Sequence, residues 1–231
     1  DRGINQLDTL QVQTINGLGH GALMKKLGKV RLDEHKYRNI CKSIAEGTQL
    51  PDSWDVRKYT NALLELTSHT MSSLTDPMDA EAMMNLVNHT GTELPEDYLA
   101  FRQVKQIIDM GVDLALTQNL VAFDDQIFLP AKFGWEVQMY DFVMVDECQD
   151  LSIAKLALVT RALKGKAGRA LFVGDPKQAI YGFAGADAYS YANIKTKMNA
   201  KEFPLSVCYR CPTSVLDLAR SHDGAVVPTD V

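Results

Sequence analysis

The chain has 231 residues, 46% of them hydrophobic, enough to bury one large core or two modest ones. No apolar run approaches the roughly 20 residues that a bilayer-crossing helix needs, so a protein outside the membrane is expected. A net charge of −5 argues against binding nucleic acid by bulk electrostatics, leaving aromatic stacking along a locally basic groove as the route to a single strand.

The first residue is Asp1 rather than Met, and nothing before Leu10 has the make-up of a signal peptide, so a fragment is expected. Leu10 to Thr14 alternates apolar and polar residues and predicts a short strand, and the residues from Thr14 run into a helix. Gly17, Gly19 and Gly21 superficially suggest a phosphate loop. The full pattern Gly-x-x-x-x-Gly-Lys-Ser/Thr is absent from the whole chain.

From about residue 30 to 119 the texture is helical. Arg31 to Glu46, Trp54 to Ser73, Met78 to His89 and Glu93 to Gln118 each show helical periodicity, with Gly47, Pro51, Pro77, Gly91 and Pro95 between them. In the last of these, Val104, Ile107, Ile108, Val112 and Ala115 share a face. His35, His69 and His89 have no nearby ligand partners, so surface or packing roles are expected. No repeat or low-complexity run is present.

Phe123 to Pro130 is expected to return the chain to a sheet, with Asp124 and Asp125 as helix caps or remote metal ligands. Phe142 to Val145 is an apolar run ending in two acids, the pattern of a buried parallel strand whose carboxyl end faces a ligand. There one carboxylate can hold Mg²⁺ while its neighbour orients or deprotonates a water. The alternative is that Asp146 and Glu147 merely open a loop or cap the helix near Leu151. Ala170 to Val173 repeats the pattern and ends in Gly174 and Asp175.

Tyr181 and Phe183 lie two apart and project together if extended, where stacking on a base gives roughly 1–3 kcal/mol each. Core packing of one of them is the alternative. Glu202 to Val207 predicts another strand, delivering Tyr209 and Arg210 to its end, and Pro212 starts a helix that runs to about Ser221. Cys41, Cys148, Cys208 and Cys211 form no disulfide framework and point to a reducing compartment. Cys208 and Cys211 have zinc-knuckle spacing but lack a second pair.

Three long strings occur in order: Val145-Asp-Glu-Cys-Gln-Asp150, then Gly174-Asp-Pro-Lys-Gln-Ala-Ile-Tyr-Gly-Phe-Ala-Gly-Ala-Asp187, then Leu205-Ser-Val-Cys-Tyr-Arg-Cys-Pro-Thr-Ser214. They resemble motifs II, III and IV of the UvrD/Rep family of superfamily 1 DNA helicases. The segment at Thr14 resembles motif Ib, with Asn16 where the family usually has His, and Phe123-Asp-Asp-Gln-Ile looks like the segment that precedes motif II. Ala184 stands where the family often has Arg.

The resemblance implies an α/β fold: a RecA-like parallel sheet of the P-loop NTPase type, here without the P-loop strand, and an inserted all-α subdomain. Residues 1–29 and 120–231 would form the partial ATPase domain and 30–119 the insertion. Asp146 would hold Mg²⁺, Glu147 would activate water, and Gln149 would communicate with the phosphate. Gln178 would sense the γ-phosphate, a task that suits a neutral amide. Tyr209 would stack on adenine, and Arg210 would reach the γ-phosphate as an arginine finger. Thr14, Asn16, Tyr181 and Phe183 would contact single-stranded DNA.

The implied cofactors are ATP and Mg²⁺. The implied partners are single-stranded DNA and the rest of the same protein, namely the P-loop segment and a second motor domain. The implied location is the cytoplasm or nucleoid. A fragment of this extent is expected to be inactive alone. The competing expectation is a non-catalytic DNA- or partner-binding module that has lost the phosphate-binding loop.

Overall fold

The computed structural model describes residues 10–165, 167–178, 190–205 and 210–223. The chain divides into two units, residues 1–193 and 194–231. The described residues are mostly helical with small parallel sheets, a mixed α/β arrangement. Among them no helix is long and apolar enough to cross a membrane.

Helix α1 (Ile15–Leu27) starts where the Thr14 hydroxyl accepts a hydrogen bond from the Gly17 N–H at 3.0 Å, and stops at Gly28, whose φ of 77° few other residues adopt. A Cβ on Gly19 would lie 1.8 Å from the carbonyl oxygen of Gln126. Backbone therefore meets backbone where α1 passes α6 (Asp125–Phe133), and this glycine serves packing rather than phosphate binding. The strand expected at Leu10 to Thr14 is absent. Those residues are irregular, and the Gln13 amide instead donates to the Tyr140 hydroxyl at 2.9 Å.

Arg31 and Leu32 do not begin a helix, as their periodicity suggests. They form β1 (Arg31–Leu32), parallel to β2 (Leu120–Val121), and Asp33 N–H extends the pairing to Val121 O. Helices α2 (Lys36–Glu46), α3 (Val56–Ser73), α4 (Ala80–Thr90) and α5 (Asp97–Gln118) follow. Asp55, Asp79 and Glu96 cap α3, α4 and α5, each accepting a first-turn N–H. Their apolar faces share a core of residues such as Ile40, Leu63, Leu66, Val104 and Ile107. The expected stripe on α5 is buried as drawn, except that Val112 is only partly so.

The Asp124 and Asp125 expectation needs correction. Asp125 is fully buried, and its carboxylate receives Lys36 Nζ at 2.5 Å, the Tyr37 hydroxyl at 2.7 Å and the Ala122 N–H at 2.6 Å. It is a paired core anion, because only that many donors offset the loss of water. Asp124 makes no side-chain cap bond, and burial raises its carboxyl pKa. Phe123 to Pro130 is likewise not a strand, since residues 125–133 form α6. The Arg161 guanidinium donates to the Pro130 and Ala131 carbonyls at 2.6 and 2.9 Å, serving the helix's C-terminal end.

Strand β3 (Phe142–Val145) pairs in parallel with β4 (Arg169–Phe172), Met144 opposite Leu171. Val143 packs toward a second core formed by α1, α6 and α7 (Ile153–Arg161). The opposite face carries Phe142, Met144 and Leu171 at 52, 66 and 43% exposure. The strand expected to be buried is therefore open on one face, because the described helices cover only the other.

In the second unit, Glu202 to Leu205 has no regular structure, unlike the expected strand. Pro204 lacks the N–H a ladder needs, and no described strand pairs with it. Ser206 and Val207 lie outside the described residues. Helix α8 (Ser190–Met198) spans the boundary between the units, and α9 (Thr213–Asp223) follows Pro212 as expected.

Asp125→Ala is expected to cost about 3–5 kcal/mol in urea unfolding, because it strands the Lys36 ammonium. Replacing both partners, Lys36→Met with Asp125→Leu, should recover most of that loss. Burial also lowers the His69 pKa below its ordinary value of 6.5, with His89 adding to the effect and Glu65 opposing it. The unfolded chain then binds a proton that the folded chain refuses. His69's contribution is complete above pH 6.5 and is lost as the pH falls through 6.5 toward the lowered folded value. His69→Asn should flatten the stability-against-pH curve on that acid side.

Candidate active site

Strand β3 ends at Val145 and delivers Asp146 and Glu147 to its carboxyl end, both exposed. Glu147 adopts left-handed backbone angles, φ 51° and ψ 45°, which cost a non-glycine residue about 1–2 kcal/mol. That bend turns the chain so that Cys148 N–H donates to Val173 O at 2.9 Å, and Cys148–Asp150 forms one 3₁₀ turn. The Asp146 carboxylate accepts the Glu147 N–H at 3.0 Å.

Helix α7 is capped by Ser152, whose hydroxyl accepts the Lys155 N–H at 3.2 Å. The two acids therefore do not cap the helix, which removes one of the alternatives left open by the sequence.

Gln149, only 3% exposed, donates its Nε2 to Glu147 Oε2 at 2.6 Å and accepts the Asp175 N–H on Oε1 at 3.1 Å. Gln178 donates its Nε2 to Asp175 Oδ2 at 2.9 Å and its backbone N–H to Asp175 O at 3.0 Å. Glu147, Gln149 and Gln178, three residues singled out in the sequence, thus share one hydrogen-bonded cluster. Asp175, which no sequence motif role had been given, is its junction. The loop from Gly174 to Gln178 carried the signal, since Gly-Asp-Pro-Lys-Gln is a turn sequence directly after a strand.

Cys148 is buried beneath the turn, and burial raises its thiol pKa, which disfavours the thiolate. The Ser190 hydroxyl donates to its carbonyl at 2.7 Å. Among the described residues Asp150 Oδ1 is buried without a hydrogen-bond partner.

The described residues contain no group of three or more His, Cys, Asp or Glu able to hold a metal. A nucleotide's Mg²⁺ needs less, because phosphate and water fill most of its octahedron and one or two carboxylates suffice. The exposed Asp146 carboxylate fits that requirement.

Thr14 caps α1 with its hydroxyl, and Asn16 lies half-buried in the helix's first turn. Arg210 is exposed in the second unit, ahead of α9. Tyr181, Phe183 and Tyr209 lie outside the described residues, as does Cys208.

The protein's class is thus a mostly helical α/β chain with an acidic pair at the carboxyl end of a parallel strand. Residues 3–199 match the model of the UvrD/REP helicase N-terminal domain, and the chain belongs to that family. It is 27% identical over 203 residues to the ATP-dependent DNA helicase PcrA of Leuconostoc citreum, covering 85% of this chain and 26% of that protein. A probable DNA helicase II homolog of Mycoplasma capricolum is 27% identical over 200 residues, covering 82% of this chain and 26% of that protein. The RecBCD enzyme subunit RecB of Haemophilus influenzae is 32% identical over 119 residues, covering 46% and 10%. The chain spans about a quarter of the length of the first two relatives.

Glu147→Gly is expected to be more stable than Glu147→Ala by about 1 kcal/mol, read from the melting temperature, since both lose the carboxylate and only glycine is free of the left-handed strain.

Proposed function

We propose that this chain is most of the first motor domain of an ATP-dependent DNA helicase, which couples ATP hydrolysis to movement along single-stranded DNA. In this reading residues 1–29 and 120–231 belong to a RecA-like parallel sheet with its helices, and 30–119 to an inserted helical subdomain. The phosphate-binding loop and second motor domain would be supplied by the rest of the protein.

One observation carries the reading. An exposed acidic pair leaves the end of a parallel strand without capping a helix, and its glutamate is hydrogen-bonded into the loop that follows the neighbouring strand. Family membership supports it.

Asp146 would hold Mg²⁺, and Glu147 would take the proton of the attacking water. ATP with Mg²⁺ supplies the phosphoryl group and neutralises charge on it when bound. Gln149 would communicate with the phosphate. Gln178 would sense the γ-phosphate with an uncharged amide, and Arg210 would stabilise charge on it through its fixed fork. Tyr209 would stack on adenine. Thr14, Asn16, Tyr181 and Phe183 would face the DNA strand, and cytoplasmic or nucleoid work follows from such a substrate.

In the full-length gene product, Glu147→Gln should lower single-strand-stimulated ATP hydrolysis by about 10²–10⁴-fold while ATP still binds. Normal DNA-stimulated turnover by that variant would remove the assignment.

A further inference from the structure

The Glu147 carboxylate is exposed and stands on a left-handed backbone, so its own residue offers little to hold its direction. Gln149 does offer something. Its amide is buried, with one end on Glu147 Oε2 at 2.6 Å and the other on the Asp175 N–H at 3.1 Å. The orientation is determined by chemistry: flipped, the amide would set its NH₂ against the Asp175 donor and its oxygen against a carboxylate. Burial of the amide itself limits water's access to it, while the Glu147 carboxylate on its far side stays open to solvent.

We propose that Gln149 is a positioning residue that latches Glu147 to the loop after β4 and, through Asp175, to Gln178. The proposal rests on the reading of Glu147 as the residue that activates water. Asp175 has two attachments in the latch. Its N–H holds Gln149, while its carboxylate and carbonyl hold Gln178 at 2.9 and 3.0 Å. A displacement of the Gln178 loop is thus passed through two side chains to the carboxylate. Gly174 makes room for the latch, since a Cβ there would sit 2.4 Å from Gln149 Oε1 and 2.7 Å from Cys148 Sγ.

Two variants of the full-length gene product cut the latch differently. Gln149→Met keeps the side chain's length and removes both polar ends. Gly174→Ala leaves Gln149 in place and pushes a methyl group into its carbonyl. Each should lower DNA-stimulated kcat by about tenfold to a hundredfold, the cost of a misplaced reacting group, with the KM for ATP near that of the parent and a melting temperature lowered by the crowding or lost bonds but still well above the assay temperature. Joining Gln149→Met to Glu147→Gln should be no slower than Glu147→Gln alone, because Gln149 acts only through the Glu147 carboxylate.

Unchanged kcat in Gly174→Ala and in Gln149→Met, or single effects that multiply in the double variant, would overturn the latch. Should Gln149→Met fail to fold, Gly174→Ala decides. Glu147→Gln separates the two levels. If it is inactive while the effects multiply, only the latch falls. If it is active, the reading of the site falls with it.

Discussion

Two charges shut away from water can sit in the first unit only as a pair. Lys36 and Asp125 are each wholly buried, 89 positions apart in sequence, and begin α2 and α6. Removing both from water costs several kcal/mol per ion, so the pair persists only where further donors complete the carboxylate's shell. Tyr37 and the Ala122 N–H do this. Burial together with the Asp125 charge pushes the Tyr37 hydroxyl well up, so it stays a proton donor. The short β1–β2 pairing lies directly beside the pair in sequence, through Asp33 and Val121. Helices α2 to α5 therefore leave and rejoin the chain at one clamped place.

The site follows the opposite economy. Its acids are exposed, its glutamate backbone is strained, and the sheet behind it is covered on one face only. Strain of this kind persists where surrounding bonds over-determine it. Here they are the Cys148 N–H to Val173 O bond and the buried Gln149 amide. Rigidity is concentrated in a side chain next to the acids rather than in the acids themselves.

The helical stretches are legible in the sequence from their periodicity, but their starts are not: periodicity opens three of them at Trp54, Met78 and Glu93, whereas the helices begin at Val56, Ala80 and Asp97, where Asp55, Asp79 and Glu96 meet the local need for N–H acceptors. The parallel strand ending in acids is legible too, at Val145. What local pattern cannot carry is pairing across the chain. Arg31 and Leu32 look helical until Leu120 and Val121 claim them, and Asp125 looks like a cap until Lys36 does. Pro204 shows the reverse, a strand-like stretch without the donors or the partner to become one. At the site, motif strings single out Glu147, Gln149 and Gln178, and Asp175 stands in the same string, but its part as their junction emerges only from the fold, because it is played by backbone as much as by side chain.

The contact at Gly19 has a mechanical meaning. Side chains between helices act as cushions, since a rotamer change absorbs a small shift before the next element feels it. Where α1 touches the Gln126 carbonyl there is no side chain to yield. A shift of α1 at this point would bear on the backbone of α6 itself, whose carbonyls Arg161 of α7 also grips. One missing methyl group thereby lets α1 and α6 meet backbone to backbone.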